Sequence, residues 1–269
     1  MESGRDLIAR IVAPLAVLLL LAVPAAHGHE FWIEPATFRP APGAKVPIQF
    51  FVGQNFKGNS IPWLTDNYEY FYVADARGRE NLRGVLGDDP AATLTARVPG
   101  RAWVVLRSTN FELDYEKPGA FPAFLEKEGI DHLVPREQRE KIPVKETYSR
   151  CAKSLLLVGK PASGAVPDRA LGLLLELVAE TDPYAGKSRE FTVRLLYRGA
   201  PLPGALVTAF NKAMPDKRLE ARTDAAGRAR LALDRSGAWL LNVVHLLPAP
   251  KKSGAQWETL WSSLTFEIP

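Results

Sequence analysis

A chain of 269 residues with 46% hydrophobic and 24% charged side chains and a mean hydropathy of -0.09 has the composition of a folded globular protein, which excludes disordered and fibrous classes. Its 34 basic and 30 acidic residues leave a net charge of +4 with no run of like charge, so a nucleic-acid partner is not expected. One cysteine, Cys151, can build neither an intramolecular disulfide nor a cysteine-rich metal centre, which leaves histidine, carboxylate and main-chain groups as metal donors. The 22 prolines and 20 glycines are scattered and predict many short elements joined by turns. An all-β chain of two domains is the expectation.

The amino-terminal segment sets the compartment. Arg5 and Arg10 precede the apolar run Ile11 to Val23, which ends in small residues and reads as a secretory signal peptide over residues 1–28. The run is too short to span a bilayer comfortably, so a periplasmic protein without a membrane span after signal removal is expected. The junction reads Ala25-Ala26-His27-Gly28-His29-Glu30-Phe31-Trp32. A cut after Gly28 makes His29 the first residue, whose α-amino nitrogen and Nδ1 form a two-nitrogen chelate for one metal ion. A cut after Ala26 leaves His27-Gly28-His29, in which the amine, two deprotonated amides and the third-position imidazole suit square-planar Cu(II) or Ni(II). A cut after Ala25 permits metal binding with no preformed geometry.

Strands dominate the predicted elements that follow. Lys45 to Val52, Tyr68 to Ala74, Thr93 to Val98 and Ala102 to Ser108 are β-rich and bounded by Pro-Gly or Asp-x-x-Gly turns, which predicts a β-sandwich over residues 29–165. Phe121, Phe124, Leu125 and Glu128 fall at helical spacing and a charged stretch, Arg136 to Lys141, follows, so a short helical insertion is expected near 117–142. Leu155 to Gly159 reads as a strand and Lys160 to Asp168 as a linker. In the last third, Phe191 to Tyr197, Ala205 to Asn211, Arg218 to Arg222, Arg228 to Leu233 and Leu240 to Leu246 alternate with turns, Thr223-Asp224-Ala225-Ala226-Gly227 among them. This segment, residues 170–269, resembles a transthyretin-like or Cna-B-like immunoglobulin-type β-sandwich.

The whole chain resembles the exported proteins of the DUF4198 family, often labelled nickel-uptake or cobalt-transport components. The residues that carry the resemblance are His29-Glu30-Phe31-Trp32-Ile33-Glu34-Pro35, Tyr148-Ser149-Arg150 with Ala152-Lys153, Leu175-Glu176-Leu177 and Asp182-Pro183-Tyr184. Leu196-Tyr197-Arg198-Gly199, the Gly237-Ala238-Trp239 to His245 segment and Trp261 with Ser263-Leu264-Thr265-Phe266 extend it. The resemblance implies a periplasmic protein associated with transition-metal uptake or handling.

Strand alternation puts His245 on the side of Trp239, Leu241 and Val243, near the end of its strand, where it could meet the amino-terminal segment. His29 and His245 are therefore the candidate ligands for a divalent transition metal, Cu, Ni or Co, presented to a membrane transporter or outer-membrane receptor. His132, Glu30, Glu34 and Asp182 are weaker candidates. No nucleophile elbow, phosphate loop, His-Glu-x-x-His or dinucleotide fingerprint is present in the sequence, so the protein is not expected to be an enzyme. Two alternatives stand beside the metal reading: a β-sandwich adaptor for a protein or glycan, and a copper-dependent oxidoreductase using the amino-terminal His chelate.

Overall fold

The computed structural model describes residues 29–160, 167–185 and 188–269. The expected signal peptide and most of the expected linker lie outside them. In chain order the first strands are β1 (Glu30–Pro35), β2 (Lys45–Gln54), β3 (Lys57–Ile61), β4 (Tyr68–Asp75), β5 (Gly78–Asn81), β6 (Ala92–Thr95), β7 (Gly100–Ser108) and β8 (Phe111–Tyr115). Two helices follow, α1 (Ala120–Lys127) and α2 (Arg136–Arg139), inside the segment where the spacing of Phe121, Phe124 and Leu125 predicted them. The chain then enters β9 (Val144–Val158), β10 (Leu175–Ala179), β11 (Ser188–Tyr197), β12 (Ala200–Pro201), β13 (Leu206–Asn211), β14 (Met214–Arg222), β15 (Arg228–Leu233), β16 (Gly237–Pro248) and β17 (Trp257–Ile268). The protein is all-β, with three sheets stacked as a sandwich.

The middle sheet has nine strands, ordered β14-β13-β16-β17-β9-β7-β4-β5 with β8 beside the first part of β9. Strand β9 is its axis. One edge pairs antiparallel with β7 from Gly100↔Val158 to Arg107↔Cys151 and with β8 from Phe111↔Tyr148 to Tyr115↔Val144. The other edge runs parallel to β17 from Glu146↔Trp257 to Ser154↔Thr265. Strands from both parts of the chain thus form one hydrogen-bonded sheet. The two sandwiches expected over residues 29–165 and 170–269 share their middle layer instead of being joined by a linker alone.

One face of this sheet is covered by the β1-β2-β3 sheet, to which β6 adds on β2. Phe31, Ile33, Val46, Ile48 and Phe50 pack there on Val104, Leu106, Ala152 and Leu156. Helix α1 continues the same cover, with Phe121, Phe124 and Leu125 against Val244, Leu246 and Trp261. The opposite face is covered by β10-β11-β12 with β15, where Leu175, Leu177, Phe191, Val193 and Leu195 meet Trp103, Cys151, Leu155, Leu241 and Leu264.

Only Leu155 to Gly159 was expected as strand in this region, yet β9 begins at Val144. The earlier part carries Lys145, Glu146, Arg150 and Lys153, and a central strand tolerates such residues only where each charge finds a partner. Lys153 does. Its side chain is 1% exposed and its Nζ lies 2.9 Å from Asp168 Oδ2 and 3.3 Å from Glu176 Oε1. Asp168 also accepts hydrogen bonds from Trp103 Nε1 (2.7 Å) and the main-chain N–H of Ala179 (2.9 Å), and Glu176 accepts from the N–H groups of Leu171, Gly172 and Leu173. The network folds the segment before β10 onto β9 and β7, and its many neutral donors offset the second negative charge.

Removing one partner of a buried ion pair strands the others without a counter-charge, which typically costs about 3–5 kcal/mol. Lys153→Met is therefore expected to lower the stability of the purified protein by about that amount in urea denaturation. A loss below about 1 kcal/mol would show that the network contributes little to the fold.

Candidate functional site

His29 stands immediately before β1, and the strand it leads into is anchored at once. Glu30 is buried, and its carboxylate accepts the main-chain N–H of Phe56 at 3.0 Å. Asn55 and Phe56 both have positive φ, 56° and 62°, in the tight turn joining β2 to β3. The Glu30 carboxylate and the packing of the Phe56 ring edge-on to Trp32, 5.3 Å between centroids, hold that strained turn. Burial pushes the Glu30 carboxyl above its usual range, against the pull of the Asn55 and Phe56 N–H groups and of Lys127 and Arg218. Glu128, at the end of α1, is raised for the same reason, and the charge of Glu30 adds to the effect.

His245 lies on β16 opposite Leu260, on the face that alternation gave it, with its ring 5.2 Å from that of Tyr197 on β11. It is half-buried, and burial pushes the imidazole pKa down, favouring the neutral ring. Tyr197 belongs to the sheet that covers one face of the middle layer. β1 packs on the other face, through Phe31 and Ile33 and through the Thr265 hydroxyl, which donates to the Ile33 carbonyl at 2.7 Å. The middle sheet therefore stands between the two candidate ligands. The expected site uniting His29 and His245 does not form, because alternation fixes the face of His245 while the way β1 crosses β9 and β17 fixes that of His29.

The weaker candidates are placed as follows. Asp182 pairs with Arg101 at 2.5 Å, Glu34 accepts from Trp32 Nε1 at 3.0 Å and from Lys212, and His132 is exposed between α1 and α2. Cys151 is buried in the core, and its thiol pKa is raised by burial, which keeps it protonated. Among the described residues no three His, Cys, Asp or Glu side chains gather as a metal-binding group.

One ionisable residue escaped the sequence reading. Glu146 is 2% exposed, in register with Trp257 on β17; it accepts a hydrogen bond from the Tyr115 hydroxyl at 2.8 Å and another from Thr259. Burial outweighs those two bonds and pushes its pKa up to about 7. Its position in Lys-Glu-Thr-Tyr-Ser-Arg carries no signal of burial. Beside it opens a cleft of about 130 Å³ lined by Glu112, Asp114, Lys145, Thr147 and Ser253. A larger depression of about 370 Å³ lies by the β4–β5 hairpin, and its charged groups pair with one another, Arg97 with Glu80 at 3.0 Å and Arg77 with Asp75 at 4.0 Å.

The fold and these groups define an all-β sandwich protein. A family model described as a domain of unknown function, DUF4198, matches residues 26–246, and the chain belongs to that family. No curated protein matches it. Among solved structures it is similar to the D0-D1 domain of intimin, at 11% identity and a TM-score of 0.22, over 88% of this chain and 97% of that one. A tetra-tandem repeat from the extending region of a large adhesion protein is similar at 12% identity and a TM-score of 0.22, over 90% and 49% of the two chains. The T6 backbone pilin of serotype M6 Streptococcus pyogenes follows at 8% identity and a TM-score of 0.18, over 89% and 52%.

Because the folded-state pKa of Glu146 is raised from the usual 4.5 to about 7, the protonated carboxyl is the form the fold favours. Its contribution to stability is complete below about pH 4.5 and is lost as pH rises through about 7, a swing of about 3 kcal/mol. Glu146→Gln should match the native protein near pH 4 and exceed its stability at pH 8 by up to that amount, measured by denaturation across the range. Superimposable pH profiles would mean that Glu146 ionises without strain.

Proposed function

We propose that the protein is an exported, non-enzymatic carrier of a divalent transition metal ion, and that it takes the ion at its mature amino terminus through His29. The observation that carries this reading is the attachment of His29 to β1. Phe31, Trp32 and Ile33 are 3%, 1% and 0% exposed, and the main chain of β1 pairs with β2 from Glu30↔Gly53 to Pro35↔Ile48. A chelate made of an amine and an imidazole would thus sit at the head of a strand held by its packing and pairing. Two nitrogen donors rank copper above nickel and nickel above cobalt, and leave positions where a partner's ligands can enter, as transfer to a membrane transporter or outer-membrane receptor requires. His245 offers one neutral imidazole beside Tyr197 and acts apart from the terminal chelate.

The test is the intact mass of the protein purified from the periplasm, followed by calorimetric titration of that material with Cu(II), Ni(II) and Co(II). The expected chain starts at His29 and binds one copper ion most tightly. His29→Ala should weaken binding by about 100-fold, and His245→Ala by less than about 3-fold. A mature chain that starts elsewhere and binds no ion above background overturns the proposal in favour of a β-sandwich adaptor.

A further inference from the structure

Strand β9 carries a second cation, half-buried on the other face. Arg150 lies three residues before Lys153 and so faces the opposite side of the sheet, the side covered by β1. Where Lys153 meets two carboxylates, Arg150 meets rings. Its guanidinium carbon is 5.2 Å from the centroid of Phe31, 5.4 Å from that of Tyr148 and 5.5 Å from that of Phe111. Phe31 is buried and forms the floor; Phe111 and Tyr148, 5.2 Å apart, are half-buried and form the rim.

Rings attract a cation through their faces, each contributing about 0.5–2 kcal/mol, but they accept none of the five N–H bonds a guanidinium offers in its plane. Arg150 Nε is sealed from solvent and has no acceptor among the described residues. The neighbouring Ser108 hydroxyl oxygen accepts the main-chain N–H of Arg150 at 2.8 Å, and its own hydrogen goes to the Thr109 carbonyl. Among the described residues, the groups that act electrostatically on the guanidinium are Tyr148 and Tyr68, neither of them a carboxylate. Burial holds Tyr68 protonated, its pKa pushed up to about 12, so it supplies no negative charge. A half-buried cation with a sealed, unpaired N–H and no facing carboxylate has hydrogen-bonding capacity to spare, and the acceptor that matches a guanidinium is one with two coplanar oxygens.

We propose that Arg150 is the recognition point of a ligand-binding site for a small organic carboxylate with a flat apolar body. The carboxylate takes the guanidinium fork, and the body lies against Phe111 and Tyr148. A monoanion matches the single positive charge, whereas a phosphate dianion would be left half-compensated. The site is independent of any metal at the amino terminus.

The experiment uses the metal-free mature protein, labelled with ¹⁵N, with benzoate, acetate and inorganic phosphate as probes. Benzoate should move the Arg150 Nε–H resonance saturably and raise the melting temperature; acetate should do so more weakly and phosphate not at all. Arg150→Lys keeps the charge but loses the fork, and should weaken benzoate binding by about tenfold or more. Phe111→Leu leaves the resonance in place and should weaken benzoate but not acetate, which keeps the test available if Arg150→Lys fails to fold. No saturable shift with benzoate, unchanged binding in Arg150→Lys, or tighter binding of phosphate than of benzoate overturns the proposal.

Discussion

Strand β9 is hydrogen-bonded on both edges and covered on both faces, and this placement constrains everything around it. An enclosed strand is ordinarily an apolar run, but β9 brings Lys153 into the interior on one face and a half-buried Arg150 onto the other. Each charge has to be met where it stands. Lys153 is met by Asp168 and Glu176, whose remaining oxygens collect the N–H groups of the segment leading into β10. A single buried ammonium thereby orders a stretch with little regular structure of its own and pins the third sheet to the second. Arg150 is met by aromatic faces, which meet its charge but not its hydrogen-bonding capacity.

The same geometry reassigns the residues that make the chain recognisable as a DUF4198 member. Lys153 and Glu176 belong to the buried network. Asp182 neutralises Arg101, and the Tyr184 hydroxyl donates to the Leu155 carbonyl at 2.6 Å, tying another connecting segment to β9. These side chains hold layers together, so family membership speaks first to how the sandwich is assembled. Function has to come from groups outside that assembly. His29 at the head of β1, His245 beside Tyr197 and Arg150 among its rings are the groups proposed for it, and the middle sheet keeps His245 apart from the other two.

Much of the fold was legible in local pattern. The strands of the last third alternate cleanly between turns, and β11, β13, β15 and β16 fall where that alternation put them. The helical spacing of Phe121, Phe124 and Leu125 located α1, and period-two alternation assigned His245 its face. What local pattern could not carry was long-range. The start of β9 went unassigned because Lys145, Glu146, Arg150 and Lys153 interrupt the apolar pattern of an enclosed strand, and the carboxylates that meet Lys153 come from another segment of the chain. The parallel pairing of β9 with β17 joins residues more than a hundred positions apart, and it is this pairing, together with the crossing of β1 over it, that decides where His29 lies relative to His245. Glu146 was invisible for the same reason: its partners Tyr115 and Thr259 lie far from it in sequence, and no feature of its own neighbourhood announces them.

The central claim is that the sheet separates the two histidines, so that an ion at the amino terminus is held by one imidazole and the amine. Pulsed electron paramagnetic resonance of the mature protein loaded with one equivalent of Cu(II) counts coordinated imidazoles through the modulation from their remote nitrogens. The account predicts the pattern of a single imidazole, unchanged in the His245→Ala variant. Modulation from two imidazoles that falls to one in that variant would contradict it.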